Sequence, residues 1–359
     1  MKFDTIPGTN PFGNQQKLLW HMRKLCEFCG TGSTFPIQVE LNPTNSCNMN
    51  CRWCLCQGEH KKESLPNGIL TQFLHDFAMF GGKSIDWTGG GEPTLYTYFS
   101  PAIEFAADHG LKQGLMTNGS FSPSIIPMLV KHFSWVRFSL DCVDAGAYSW
   151  AKQCHENLLD VVLNNISNLC TYKKRPRVVA NVNLAQWNFE HLGATIETTK
   201  FLGADGVQIR PVLPRVGMPY SEDELFFYQR MIDELPAFKS YESNKFQVII
   251  SWDKFYDIIT NDFSRPYDAC RFHNFIITLN ANGDVCVCTH HLNEPEFVMG
   301  NLNTHTLFGI WGSVERQRVV EHCNHLDFTK CQVCCKGHEL NKLLHFITHR
   351  NEGSDPDFF

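Results

Sequence analysis

The stretch that decides the fold is Pro36-Ile-Gln-Val-Glu-Leu41-Asn-Pro-Thr-Asn-Ser-Cys47-Asn-Met-Asn-Cys51-Arg-Trp-Cys54. The apolar run Ile37–Leu41 reads as a strand. It delivers the chain straight into a Cys-x3-Cys-x2-Cys loop. Three thiolates on one short loop hold three corners of an iron–sulfur cube and leave the fourth iron without a protein ligand. An open metal position is where a substrate or cofactor binds, the logic that separates catalytic from structural metal sites. The competing reading is a structural zinc knot, which usually draws on four ligands in two Cys-x2-Cys pairs. Three ligands fall short of that.

A second motif follows one strand and one helix later. Asp86-Trp-Thr-Gly89-Gly90-Gly91-Glu92-Pro-Thr-Leu95 comes directly after a strand-like Lys83-Ser-Ile85. Consecutive glycines let a ligand approach the backbone and permit positive φ. Glu92 offers a carboxylate to an ammonium group. A zinc knot predicts nothing about such a turn.

With both motifs in place, the chain resembles the radical S-adenosylmethionine (SAM) enzymes. The resemblance implies that Cys47, Cys51 and Cys54 hold a 4Fe–4S cluster whose open iron is chelated by SAM. It implies that Trp53 lies near the adenine and that Gly90, Gly91 and Glu92 bind the methionyl end. Reductive cleavage of SAM then yields a 5′-deoxyadenosyl radical that abstracts hydrogen from a substrate. A reductant such as flavodoxin or ferredoxin supplies the electron. The chemistry is the cofactor's; the protein binds, orients and excludes water.

Composition agrees. The 359 residues are 43% hydrophobic and 19% charged, enough for a sizeable core and against global disorder. A net charge of −6 argues against nucleic acid as a partner. No segment reads as a signal peptide or a membrane helix. Sixteen cysteines in clustered spacings favour metal over disulfides, and a reducing cytoplasm. Cys26 and Cys29 form another Cys-x2-Cys, read as two thiols on an amphipathic helix, with a metal role as the alternative.

Strand-like segments are Ile37–Leu41, Ser84–Trp87, Lys112–Met116, Trp135–Leu140, Arg177–Val182 and Gly206–Ile209. Helical patterns lie between them at Leu70–Phe80, Tyr98–His109, Pro123–His132, Ala145–Leu169 and Phe189–Phe201. This α/β alternation predicts a parallel sheet with helices outside. The resemblance makes it a partial (β/α)6 barrel, open on one side, with its site at the carboxyl ends of the strands. Asn118 ends the third strand, facing the cofactor or simply serving a turn before glycine. Ser139 and Asp141 share one side of the fourth strand and match the family's ribose-contact position; helix capping by Asp141 is the other reading. Arg210 ends the sixth strand and matches an arginine that family members use on the SAM carboxylate; a surface salt bridge is its alternative.

A second region begins at Cys270. Asn282-Gly283 between apolar runs is a hairpin signal, followed by Cys286, Cys288 and later Cys331-Gln-Val-Cys334-Cys335. This is similar to the SPASM module or its shortened form, the twitch domain. The resemblance implies one auxiliary 4Fe–4S cluster on Cys270, Cys288, Cys331 and Cys334. Cys286 is an alternative to Cys288, Cys323 and Cys335 are further candidates, and a four-cysteine zinc site shares the geometry. The segmentation is then an amino-terminal extension at 1–35, the barrel at 36–264, the auxiliary domain at 265–345 and a tail at 346–359. Thr289, His290 and His291 read as hairpin surface, with the two histidines lining the site as the alternative. The acidic tail Asn351–Phe359 reads as disordered or as a cover over the site.

For the substrate, the resemblance leaves two classes. One is a small molecule, a sugar, aminocyclitol or related polyol, whose secondary alcohol is oxidised or epimerised. Cys142 is a positional candidate for returning hydrogen in the second case. The other is a peptide modified by a thioether or carbon–carbon crosslink. About thirty-five residues precede the barrel, too few for a peptide-binding winged helix, which favours the first class. A redox or scaffold protein without catalysis fits poorly with the open-site motif.

Overall fold

The computed structural model describes residues 15–56, 63–213, 220–260, 264–292 and 294–349. The first fourteen residues of the extension and the tail Asn351–Phe359 lie outside them.

Helix α1 (Met22–Thr31) precedes β1 (Gln38–Leu41). Then α2 (Asn67–Met79), β2 (Ser84–Trp87), α3 (Phe99–Asp108), β3 (Lys112–Thr117), α4 (Ile126–His132) and β4 (Phe133–Ser139) alternate. Helices α5 (Ala145–Lys152) and α6 (Asn157–Cys170) lead to β5 (Arg177–Leu184). Helices α7 (Gln186–Phe189) and α8 (Leu192–Phe201) lead to β6 (Gly206–Pro211), and α9 (Glu222–Glu234) to β7 (Gln247–Ile250). After α10 (Trp252–Thr260) come β8 (Ile276–Leu279), β9 (Asp284–Cys286), β10 (Val298–Asn301), α11 (Leu307–Trp311), α12 (Val314–Asn324) and α13 (His338–Thr348).

The ten strands among the described residues form one sheet in the order β10-β9-β8-β1-β2-β3-β4-β5-β6-β7. Strands β8 and β1 to β7 are mutually parallel; β9 and β10 are added antiparallel. The six expected strands are all present, and two parallel neighbours extend the set. Strand β7 is the β-branched run Val248-Ile249-Ile250, a signal the six-strand reading passed over. Strand β8 pairs with β1, Val39 standing opposite both Ile85 and Ile277. The carboxy-terminal region is therefore stitched into the barrel sheet.

Each strand splits its side chains by face. Val39, Leu41, Ile85, Trp87, Val136, Phe138, Val207 and Ile209 join helix residues such as Phe73, Phe77 and Phe99 in one buried core. The opposite face is polar. There Gln38 donates to Asp86 (2.8 Å), Arg210 to Asn183 (2.8 Å) and Gln208 to Ser251 (3.3 Å). The barrel is oily outside, under its helices, and hydrogen-bonding inside.

One helix expected over Ala145–Leu169 is two. Gln153 takes a left-handed φ of 48° and closes α5. The cause lies in the cysteine loop. Backbone N–H groups of Asn50 and Arg52 donate to the Lys152 and Ala151 carbonyls (both 3.0 Å), carbonyls a continuing helix would need for itself.

Candidate active site

The two motif loops are laid against each other by backbone hydrogen bonds. Gly91 N–H donates to the Thr44 carbonyl (3.1 Å) and Glu92 N–H to that of Ser46 (2.9 Å). A Cβ on Gly90 would stand 2.4 Å from Asn45 Oδ1, and one on Gly91 only 2.2 Å from Ser46 O. The glycines are required for this approach of loop to loop, not for positive φ, which none of Gly89, Gly90 and Gly91 adopts.

Cys47, Cys51 and Cys54 meet on the cysteine loop, packed where α5 ends. Burial pushes the Cys47 thiol up to about 11, with the charges of Glu92, Cys51 and Cys54 adding and the Met49 N–H opposing. Cys51 is likewise raised by burial, with the Lys152 ammonium acting against it. Three half-buried soft donors that repel one another as thiolates, beside one cation, suit a cationic iron–sulfur core. Cys56, given no role by sequence, hydrogen-bonds Cys54.

Glu92 is buried at the floor. Its Oε1 accepts from Thr94 N (3.2 Å), Thr94 Oγ1 (2.8 Å) and Thr117 Oγ1 (2.7 Å), and its Oε2 accepts from Asn118 N (2.7 Å). Oε2 retains an acceptor site for an ammonium. Burial raises the Glu92 pKa, with these hydrogen bonds working against the rise. Asn118 braces the cysteine loop: its Nδ2 donates to Asn48 Oδ1 (2.8 Å) and its Oδ1 accepts from Ser120.

Geometry revises the expectations at Asp141 and Cys142. Asp141 is closed to solvent and does not face a ribose. It pairs with Lys152 and accepts from the backbone and side-chain nitrogens of Asn183 (2.7 and 2.8 Å). Ser139 is drawn into the same network, its hydroxyl and carbonyl both accepting from Lys152 Nζ (3.0 and 2.9 Å). Arg210 holds Asn183 Oδ1 within this network, not at the surface. Trp53 is half-buried and stacks on Trp187 (centroids 5.1 Å), with Lys152 5.4 Å from its ring centroid. Cys142 is sealed, accepting from Asp144 N (3.3 Å), and presents no sulfur to a substrate. The signal for Lys152 was legible as a lone lysine four residues after Tyr148; that for Asn183 was not.

In the second cysteine group, Cys270, Cys288 and Cys331 lie within electrostatic reach of one another, and burial pushes Cys270 up to about 11 and Cys331 to about 12. Cys286 and Cys323 are buried, and Cys286 Sγ lies 3.9 Å from the Leu292 carbonyl. His291 is not surface: it stacks on Phe297 (centroids 4.0 Å) and meets Glu294 (2.9 Å). Burial, then the charges of Lys254, His291 and Arg210, push His290 down to about 4. Cys26 and Cys29 are exposed on α1. All sixteen cysteines are free of disulfides. No helix among the described residues is long and apolar enough to cross a membrane.

Comparison with known proteins bears on this geometry directly. The Radical SAM superfamily profile matches residues 41–198 and that of the SPASM iron–sulfur cluster-binding domain matches residues 270–336. A Flammeovirga pacifica protein named S-adenosylmethionine-dependent nucleotide dehydratase is 24% identical over 273 residues, covering 73% of this chain and 89% of that one. A Selenomonas ruminantium protein of the same name is 24% identical over 150 residues, 41% of this chain and only 54% of that one. Among solved structures, Streptococcus suis SuiB bound to S-adenosylmethionine superposes with a TM-score of 0.65 at 16% identity, covering 86% of this chain and 73% of SuiB. AnSMEcpe with bound AdoMet gives 0.62 at 16% identity, covering 84% and 88%. The chain belongs to the radical SAM superfamily and is a radical SAM enzyme with a SPASM-type carboxy-terminal domain. Its cofactors are SAM, the 4Fe–4S cluster that binds it, and an auxiliary 4Fe–4S cluster.

Proposed function

We propose that the enzyme acts on a small, hydroxyl-rich molecule seated inside the barrel, a sugar, aminocyclitol or related polyol, oxidising or epimerising a secondary alcohol. The supporting observation is the polar inner face. Glu40 Oε2, Asn181 Oδ1, Gln208 Oε1 and Thr278 Oγ1 are buried on that face without a hydrogen-bond partner among the described residues. So are both side-chain polar atoms of Asn42, just past the end of β1. Unpaired buried polar atoms are costly, and a cluster of them calls for an occupant that pairs them. Hydroxyl groups, donor and acceptor at once, fit amide oxygens, a carboxylate and a hydroxyl together.

When bound, SAM and its cluster supply the one-electron chemistry that removes a hydrogen atom. The chain's residues do the rest. Glu92 holds the SAM ammonium, and Cys47, Cys51 and Cys54 hold the cluster. Glu40 is fixed from the auxiliary domain by an ion pair with Lys336, leaving its second oxygen for the substrate. The nucleotide dehydratase relatives also support this reading, since a nucleotide carries a polyhydroxyl sugar. Peptide modification is the second reading, supported by the fold shared with SuiB, of which a structure bound to precursor peptide SuiA exists.

The test is substrate-dependent formation of 5′-deoxyadenosine by the anaerobically reconstituted, chemically reduced enzyme. Panels of aminocyclitols, sugar nucleotides and short peptides are compared. Stimulation by hydroxylated small molecules is the expected result. Stimulation by peptides alone overturns the proposal.

A further inference from the structure

Cys334 and Cys335 are neighbours in sequence, and their sulfurs face different surroundings. Cys334 is 1% exposed and belongs to the apolar core. Its Sγ lies 3.3 Å from the carbonyl oxygen of Lys254, in α10, and donates to it. A carbonyl accepts S–H. This contact aims the Cys334 sulfur at α10, away from the other cysteines of the group. The charged neighbours of Cys334 are Lys254, Asp257 and Asp253, all on α10, and Arg265 just beyond it.

Cys335 is turned the other way. The Gly337 N–H acts on its sulfur, while the His338 N–H donates to its carbonyl (3.2 Å). The sulfur of Cys270 accepts from Phe272 N–H and from Asn341 Nδ2 (3.6 Å), and that of Cys288 from His290 N–H (3.4 Å). All three sulfurs take a hydrogen bond from the N–H two residues on, as Cys47 does from Met49. This arrangement suits a thiolate.

The turn of Cys335 is also packed onto the turn of Cys270. A Cβ on Gly337 would stand 2.8 Å from the Phe272 ring, so only glycine lets the two backbones approach. Arg271 N–H donates to Asn341 Oδ1 (2.8 Å), tying the start of α13 to the same place. Electrostatically, Cys335 is the leading charged neighbour of Cys270, Cys288 and Cys331, whereas no other cysteine is among those of Cys334.

We propose that Cys270, Cys288, Cys331 and Cys335 hold the auxiliary cluster, and that Cys334 is a structural thiol fastening the auxiliary domain to α10. The ligand pair near the carboxy terminus is then Cys-x3-Cys, in place of the Cys-x2-Cys that the motif alone suggests.

The experiment uses the full chain with Cys47, Cys51 and Cys54 all changed to Ala, so that only the auxiliary cluster reports. Iron content and the EPR spectrum of the reduced, reconstituted protein are read for Cys334→Ser and Cys335→Ser, with circular dichroism to establish folding. Cys334→Ser keeps a hydroxyl donor for the Lys254 carbonyl. It is expected to hold about four irons with the parent spectrum. Cys335→Ser is expected to lose iron or to show altered g-values, because an alkoxide replaces a thiolate on one iron. If folded Cys334→Ser loses iron or changes its spectrum, Cys334 is a ligand and the assignment fails. It fails equally if Cys335→Ser keeps both iron and spectrum.

Discussion

Asp141 and Lys152 form an ion pair closed to solvent directly behind the cysteine loop. Asp141 sits at a φ of 61°, a left-handed conformation uncommon for a residue with a side chain. It is held there by Asn183, by Lys152, and by Asn188 donating to its carbonyl (2.9 Å). Burial pulls the lysine pKa down, but Asp141, Cys51 and Tyr148 outweigh it, and the net shift is upward. The lysine is therefore charged across the working pH range and offsets the negative thiolates of the loop.

Removing one partner of this pair should be severe. Lys152→Met leaves a buried carboxylate alone, which costs on the order of 3–5 kcal/mol. Lys152→Met with Asp141→Asn should recover part of that loss. Denaturant unfolding of both variants and the parent is the measurement; a single variant as stable as the parent would show that the pair contributes nothing.

Cluster binding separates by loop. The intact reconstituted enzyme should hold about eight irons, and the Cys47→Ala, Cys51→Ala, Cys54→Ala variant about four. The variant should cleave no SAM. Cys26→Ser with Cys29→Ser should leave the iron content untouched, since both lie exposed on α1. Iron analysis and 5′-deoxyadenosine formation decide both points.

Glu92→Gln keeps the shape of the floor and removes its charge. SAM affinity should fall about tenfold or more, since hydrogen bonds to a charged group contribute about 1.5–3 kcal/mol. The pH dependence has a definite sign. SAM needs the carboxylate, and the raised Glu92 pKa means that it protonates at a higher pH than an ordinary glutamate. Affinity should therefore decline on acidification while exposed glutamates are still charged. Folding carries the opposite sign: a raised carboxylate pKa favours the folded state below the unfolded value, an advantage lost as pH rises through the folded one. Calorimetric titration of parent and Glu92→Gln across pH 5–8 tests this, with a flat parent profile counting against it.

Substitutions inside the barrel should trade stability against turnover. Thr278→Val removes a buried hydroxyl that has no partner among the described residues. Its stability should be unchanged or higher by about 1 kcal/mol, because no hydrogen bond is lost and an unpaired group is removed. The KM for the native substrate should rise, while SAM binding is unaffected. A destabilised variant with normal KM would mean that the hydroxyl serves the fold.

The alternation of strands and helices was legible because each strand is a short apolar run followed by a helical period. So was the cluster loop, since Cys47, Cys51 and Cys54 follow a strand directly. Local pattern could not show that α5 ends at Lys152, because the cause is the loop around Asn50 and Arg52, a hundred residues earlier. Nor could it show that Asp141 is consumed by Lys152 and Asn183. The facing directions of Cys334 and Cys335 likewise depend on α10 and on the turn at Cys270, both distant in sequence.

Strand β8 lies beside β1, and β1 feeds the cluster loop. The backbone ladder thus fixes the spacing of the two cysteine groups. A protein cut after residue 264 would do more than lose its second cluster. It would turn β1 into a raw sheet border, with unpaired N–H and C=O groups open to other chains. Such a fragment should self-associate through the strand that carries the catalytic loop, so the auxiliary domain also acts as the edge guard of the barrel.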